Sequence, residues 1–273
     1  MTLLDRLLAP GALTTLFQPI VEVQPNGRTL FAFEALTRGP ARTNIERSEV
    51  LFEYVRRKGR EAQVDLLAIG TAMARAHSLP VLPTLCLNVH AATLDKESRL
   101  PLWLAELARE HKIRGDQLVV EIIEHAPPWS GRQFLENLDK LRELGVRIAL
   151  DDVGLGQSSF RMMLDCRPDL LKIDRHFAAG AHGDAHRRAV LESISGLAQK
   201  IGARAVAEGI EDEQDLEAAT AAGISLVQGF LFCRPSTAAQ LRKLRFPHAL
   251  AAAPAALTAP GGKVVGSRRR ARQ

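Results

Sequence analysis

Apolar positions follow two alternating rhythms along this chain. Short apolar, β-branched stretches read as strands: Thr15–Val23, Thr29–Ala35, Thr84–Val89, Gln117–Ile122, Val146–Leu150, Leu170–Ile173, Ala203–Ala207 and Ser225–Val227. Between most of them lie longer segments with apolar residues at helical spacing, clearest in Ile45–Arg57, Glu61–His77, Thr93–His111, Gly131–Leu144, Ala185–Ile201 and Glu211–Ala222. Gly145, Gly202 and Gly223 follow three of these segments, where a left-handed helix terminus is expected.

Eight strands with intervening helices in about 240 residues match the size of a (β/α)8 barrel. The first two strands are separated only by Gln24–Arg28, with Asn26-Gly27 at the centre, which is a hairpin signal. The expected fold is therefore α/β, a TIM-like (β/α)8 barrel with the first strand antiparallel. A doubly wound open sheet is the runner-up, but no Gly-x-Gly-x-x-Gly follows any strand.

Composition changes this picture only at the C-terminus. At 46% hydrophobic and 25% charged, the 273-residue chain is ordinary globular protein and excludes wholesale disorder. The net charge of +5 invites a nucleic-acid partner, but its distribution argues otherwise. Lys263, Arg268, Arg269, Arg270 and Arg272 lie in Ala251–Gln273 with no acid beside them, and these five are the whole excess of 36 basic over 31 acidic residues. The expected organisation is one domain over 1–247 and a disordered basic tail over 248–273, with nucleic-acid contact at most through that tail. Three scattered cysteines, Cys86, Cys166 and Cys233, argue against a disulfide framework or a structural zinc. Asp5 and Arg6 interrupt the apolar N-terminus and no apolar run is long enough to span a bilayer, so a cytoplasmic protein without a transmembrane segment is expected.

Candidate chemistry gathers at the C-terminal ends of the strands. Strand two meets Glu34, followed by Arg38; strand three ends at Asn88, strand four at Glu121 and strand five at Asp151-Asp152. The sixth carries Lys172 and Asp174, the seventh meets Glu208 and the eighth Gln228. Taken singly, each has a plain structural explanation: an exposed strand position for Glu34, a cap for Asn88, a turn for Asp151-Asp152, a solvated pair for Lys172 and Asp174. Jointly these explanations need the same coincidence on strand after strand. In a barrel such ends converge on one face, where active sites are built. The all-oxygen set Glu34, Asn88, Glu121, Asp151 and Asp152 suits Mg²⁺ or Mn²⁺ rather than zinc. Adjacent Asp151 and Asp152 can place one carboxylate between two cations and the other on one of them, an arrangement that serves phosphoryl hydrolysis. His77, His90, His111, His125 and His176 show no ligand spacing and are assigned no role; Trp103 and Trp129 are expected to pack.

These residues, in this order, resemble the EAL-domain family of cyclic di-GMP phosphodiesterases. The motif that names the family stands as Glu34-Ala35-Leu36-Thr37-Arg38, after Phe17-Gln18-Pro19-Ile20. Downstream come Leu87-Asn88-Val89, Glu121-Ile122-Ile123-Glu124, Asp151-Asp152-Val153-Gly154, Lys172-Ile173-Asp174, Ala207-Glu208-Gly209-Ile210-Glu211 and Gln228-Gly229-Phe230-Leu231-Phe232 with Pro235. The resemblance implies a barrel whose first strand is antiparallel, and a two-metal Mg²⁺ or Mn²⁺ site. In it Glu34, Asn88, Glu121 and Asp151 hold one metal, and Asp151 bridges to a second bound also by Asp152. It also implies that Lys172 and Glu208 hold or deprotonate the attacking water, that Gln18, Arg38 and Gln228 lie at the substrate, and that Glu124, Asp174 and Glu211 support the site. Cyclic di-GMP hydrolysis to linear pGpG and a homodimer are the corresponding functional expectations. The family's usual Asp-Asp-Phe-Gly-Thr-Gly stands here as Asp151-Asp152-Val153-Gly154-Leu155-Gly156, and Ile123 replaces a usual Thr. A catalytically weak or inactive module that binds cyclic di-GMP or a protein partner is therefore the alternative. Another metal-dependent barrel enzyme with a lysine base would account for the acids and Lys172, but not for Gln18-Pro19, Arg38 or Gln228-Gly229.

Overall fold

The computed structural model describes residues 2–123, 131–155 and 160–243. A short helix, α1 (Leu3–Leu7), opens the chain; Thr2 caps it reciprocally with Asp5. Two long strands, β1 (Thr14–Gln24) and β2 (Gly27–Arg38), then form an antiparallel hairpin. They run closer together than expected, leaving Pro25 and Asn26 as the turn. Then come α2 (Ser48–Arg57), α3 (Glu61–Ala76), β3 (Leu85–His90), α4 (Ala91–Lys96), α5 (Leu100–Glu110), β4 (Leu118–Ile123), α6 (Arg132–Glu143), β5 (Arg147–Val153) and α7 (Phe160–Cys166). The chain continues through β6 (Leu170–Ile173), α8 (Arg175–Ala178), α9 (Ala185–Ile201), β7 (Arg204–Ala207), α10 (Glu213–Ala221), β8 (Leu226–Gln228) and α11 (Ala238–Leu241).

The eight strands close into a barrel in sequence order. β1 is antiparallel to both neighbours, β2 and β8, and every other pair is parallel. The expected architecture is thus the observed one. The three glycines expected at helix ends all have left-handed backbone, with φ of 81° at Gly145, 79° at Gly202 and 82° at Gly223. The helix expected over Thr93–His111 is instead two, α4 and α5. Pro101 has no N–H to give to the carbonyl of Glu97, four residues back; that carbonyl is taken by the Leu100 N–H and by Asn137 Nδ2 from α6. The short helices α7, α8 and α11 were not expected from periodicity. The proposed tail, Glu124, Trp129 and Gly156 fall outside the described residues. Among the described residues no helix is long and apolar enough to cross a membrane.

Most of the core lies between the barrel wall and the helices. A separate apolar cluster fills the barrel and takes one residue from each strand: Ile20, Ala32, Cys86, Val119, Ala149, Leu170, Val206 and Leu226. Phe31 joins it, with the guanidinium groups of Arg147 and Arg204 5.4 and 5.2 Å from its ring centroid. This apolar layer fixes where the polar residues can stand. Side chains alternate along a strand, so the next layer toward the C-terminal mouth lies two residues further on in each parallel strand. Those positions are Glu34, Asn88, Glu121, Asp151, Lys172, Glu208 and Gln228. In the reversed strand β1 the corresponding residue lies two positions earlier, at Gln18.

Candidate active site

Lys172 is at the centre of this second layer, 1% exposed. Its Nζ lies 2.8 Å from Glu208, 3.0 Å from Glu121, 3.1 Å from Asp151 and 3.4 Å from Glu34. Three of these carboxylates stand on β2, β4 and β5, and Glu208 directly follows β7. Glu34 is held further by two amides, Asn88 Nδ2 donating to Oε1 at 3.0 Å and Gln228 Nε2 to Oε2 at 2.8 Å. Gln18 faces Gln228 at 3.4 Å and donates to the carbonyl of Cys233.

Both aspartates of the pair reach the site because the strand breaks its alternation there. The β5–β6 ladder is irregular between Leu150 and Val153, and Asp152 has φ of 53°, a left-handed conformation that aspartate tolerates better than most residues. Such a bulge re-aims a side chain. Donor oxygens of Asp151, Asp152 and Glu208 consequently lie within 4.8 Å of one another, close enough to share a cation.

The electrostatics call for more positive charge than Lys172 supplies. Burial pushes the Glu121 carboxyl up to about 8, against the pull of Lys172. Burial likewise raises Glu208 well above the ordinary carboxylate range. At Asp152 burial, then the charges of Asp151 and Asp174, lift the pKa to about 6. Glu34 goes the other way: burial works to raise it, but Lys172 and the amides of Asn88 and Gln228 outweigh that and lower it. Lys172 is desolvated, yet Asp151, Glu121, Glu208 and Glu34 hold its pKa well above the ordinary lysine value. Raised carboxylates beside one another are what a cation would relieve. The donors fit a hard divalent ion: all are oxygens, and Asn88 Oδ1 and Glu121 Oε1 are buried with no hydrogen-bond partner.

The cavity beside this cluster measures about 230 Å³ and is lined by Gln18, Glu34, Asp151, Lys172, Asp174, Glu208, Glu211 and Gln228, among others. Most of the expected site residues therefore converge. Asp174 also caps α8, accepting the His176 N–H at 2.7 Å. Arg38 stands apart from the cavity wall: half-buried, its Nη1 donates to the Thr37 carbonyl and to Ser48 Oγ. Glu124 is outside the described residues. Arg175 and Phe230 also line the cavity and were given no role from the sequence. Arg175 directly follows Asp174, and Phe230, in the Gln228-Gly229-Phe230 segment, is 40% exposed with the Arg234 guanidinium 4.1 Å from its ring centroid. Gly229 is required by close passage of the chain, since a Cβ there would collide with the carbonyl of Ile210, whose N–H bonds the Gln228 carbonyl at 3.0 Å. That contact ties the loop after Glu208 to the end of β8.

Comparison with known proteins identifies the family. The EAL domain profile matches residues 2–235, and the chain belongs to that family. It is 35% identical over 167 residues to the cyclic di-GMP phosphodiesterase NbdA of Pseudomonas aeruginosa, covering 61% of this chain and 21% of that protein. It is 32% identical over 151 residues to the cyclic di-GMP phosphodiesterase RocR of the same organism, covering 55% and 38%. The chain thus matches well under half the length of either relative. Among solved structures, the manganese/cyclic di-GMP complex of Klebsiella pneumoniae BlrP1 at pH 9.0 superposes with a TM-score of 0.72 at 29% identity, covering 84% of this chain and 57% of that one. An EAL domain protein from Listeria monocytogenes EGD-e shares the fold, with a TM-score of 0.75 at 24% identity over 88% and 95% of the two chains.

Proposed function

We propose that this protein hydrolyses cyclic di-GMP to linear pGpG with Mg²⁺ or Mn²⁺ bound at the mouth of the barrel. The observation that carries this is the ring of oxygen donors around Lys172, including two buried oxygens without partners and the bulge that turns Asp152 toward Asp151. Glu34, Asn88, Glu121 and Asp151 would hold one ion, and Asp151 and Asp152 the other. Bound there, the cations supply positive charge to the scissile phosphate and make hydroxide available near neutral pH. Glu208 and Lys172, 2.8 Å apart, orient the water, and Glu208 takes its proton while Lys172, kept protonated by the surrounding carboxylates, stays charged. Attack at phosphorus breaks one P–O ester bond of the ring, and a proton goes to the departing ribose oxygen. Gln18 and Gln228 line the substrate side, while Arg38, once released from Ser48, offers its guanidinium to a phosphate oxygen. Glu124, Asp174 and Glu211 support the loops around them. We also take 1–247 as one domain, 248–273 as a solvated tail, and the working form as a cytoplasmic homodimer.

A second reading, a module that binds cyclic di-GMP with little turnover, draws on Leu155, 48% exposed in the loop after the second-metal ligand Asp152. Chromatography of products after incubating cyclic di-GMP with protein and Mg²⁺ separates the two. We expect linear pGpG from the wild type, and no turnover from Glu34→Ala, Asp151→Asn or Glu208→Gln, each still folded. Each loss should be on the order of 10²-fold or more, because one electrostatic partner of the transition state is removed. Binding of cyclic di-GMP without product from the wild type would establish the second reading, and near wild-type hydrolysis by any variant would remove that residue from its role.

A further inference from the structure

A buried ionic contact outside the donor ring holds the strand that carries Asn88. Asp65 on α3 is 1% exposed, His90 at the end of β3 is 4% exposed, and Thr93 on α4 is fully buried. Asp65 Oδ2 accepts the His90 backbone N–H at 2.9 Å and the Thr93 hydroxyl at 2.5 Å, and Oδ1 lies 2.8 Å from His90 Nδ1. Three donors on one carboxylate offset the large cost of burying its charge. None of the three residues lines the cavity.

The strand register shows what this contact does. On the β2 side, the ladder of β3 stops at Leu87, opposite Ala35. On the β4 side it runs on to His90, opposite Ile123. Asn88, Val89 and His90 are therefore fixed by sheet pairing on one edge only, and Asn88 is the first residue past the missing half. Asp65 takes over where β2 leaves off by accepting the His90 N–H two residues further on. The His90 ring is pinned on another side by Phe52 of α2, edge-on with centroids 5.2 Å apart. Asn88 Nδ2 is held by Glu34, which leaves its buried Oδ1 without a hydrogen-bond partner and free to serve as the ligand atom proposed above. A ligand atom attached to a strand pinned on one edge loses its aim if that strand end shifts.

We propose that the Asp65–His90–Thr93 contact is a brace for Asn88: these are positioning residues that set cation affinity, without touching ion or substrate. The inference rests on the proposed metal site. Partners that orient a metal ligand are typically worth ten- to a hundredfold in affinity when removed. The test titrates the wild type and variants with Mn²⁺ in the absence of substrate, following the EPR signal of the free ion, and records melting temperature and the Mn²⁺ dependence of initial rate beside it. His90→Ala should weaken Mn²⁺ binding about tenfold or more while the rate at saturating Mn²⁺ stays close to wild type. His90→Asn, whose amide can donate from nearly the position of Nδ1, should restore most of the affinity. Thr93→Val, which removes a hydroxyl without changing side-chain shape, should weaken binding in the same direction and serves if His90→Ala does not fold. A variant with a lowered melting temperature but wild-type Mn²⁺ affinity would make the contact purely structural and overturn the proposal. Asn88→Ala distinguishes the two levels: if it leaves Mn²⁺ affinity unchanged, the metal-site assignment of Asn88 fails and the brace with it; if it weakens binding while His90→Ala does not, only the brace fails.

Discussion

Adjacent aspartates on a regular strand face opposite sides of the sheet, so the pairing of Asp151 with Asp152 depends on a local distortion. That distortion ends at Gly154, where φ is 107° and a Cβ would press into the ring of Phe177. Leu155 follows, 48% exposed, its N–H 3.3 Å from the Asp152 carbonyl. Its side chain gives this loop no hydrogen bond, where the threonine usual in the family offers a hydroxyl. We expect Leu155→Thr to raise the rate at limiting Mg²⁺ by up to about tenfold, the factor that about 1.4 kcal/mol represents, and to change little at saturating Mg²⁺. Initial rates against Mg²⁺ decide it, and superimposable curves for the two proteins would show that Leu155 leaves Asp152 fully held. Most of the site was legible residue by residue because each polar group sits two positions from an apolar one on its strand. His90 was not legible, since its carboxylate partner Asp65 lies 25 residues away on a helix and shares no local pattern with it. Arg175 and Phe230 were missed because they lie one and two residues beyond the candidates Asp174 and Gln228, in segments without a repeating pattern.

Helices and turns carry their own constraints. Asp212 caps α10 by accepting the Asp215 N–H at 2.8 Å, and Asp215 reaches back to the turn between α8 and α9. Its carboxylate accepts the Gly180 N–H at 2.8 Å, and its other oxygen lies 2.8 Å from His182 Nδ1. Burial raises the pKa of this carboxyl, but the Gly180 amide and then the His182 ring and amide outweigh it, leaving the group below its ordinary 3.8. A carboxylate depressed by folding stabilises the folded state above its unfolded pKa, and that contribution is lost as pH falls through the folded value. Asp215→Asn should therefore destabilise the protein at pH 5 by about 1.5–3 kcal/mol, the range for a hydrogen bond to a charged group. Urea unfolding of both proteins should show this gap narrowing as pH drops below 3.8; a gap that stays constant to the acid limit would mean the ionised carboxylate contributes nothing. At this scale the sequence revealed the long amphipathic helices and their terminal glycines, but not the break between α4 and α5. A proline in the first turn of a helix looks like one inside a longer helix until its neighbours are known. Here the neighbour is Asn137 of α6, which bonds the carbonyls of Leu94 and Glu97.

For the whole molecule, the closed barrel explains why so much was readable from the chain alone. Eight strands each contribute one residue to an apolar floor and one to the polar layer above it, so the same two-residue offset repeats around the site, reversed only in antiparallel β1. β8 pairs back onto β1 through Ile20 and Gln228, and Leu241 of α11 is fully buried, so barrel and cover are in place by residue 241. The five cations after residue 250 follow this last buried element in the sequence, and the rest of the chain is charge-neutral without them. Deleting residues 251–273 should therefore leave kcat and melting temperature close to wild type. The same deletion should abolish any weak affinity for anionic polymers, an affinity that in the full chain falls steeply with salt as counterions are displaced. Calorimetric melting and polyanion binding at two salt concentrations test both statements on the same pair of proteins. A large fall in melting temperature on truncation would mean that the basic segment docks on the barrel, and its charges would then have to be counted in the field around the carboxylates at the mouth.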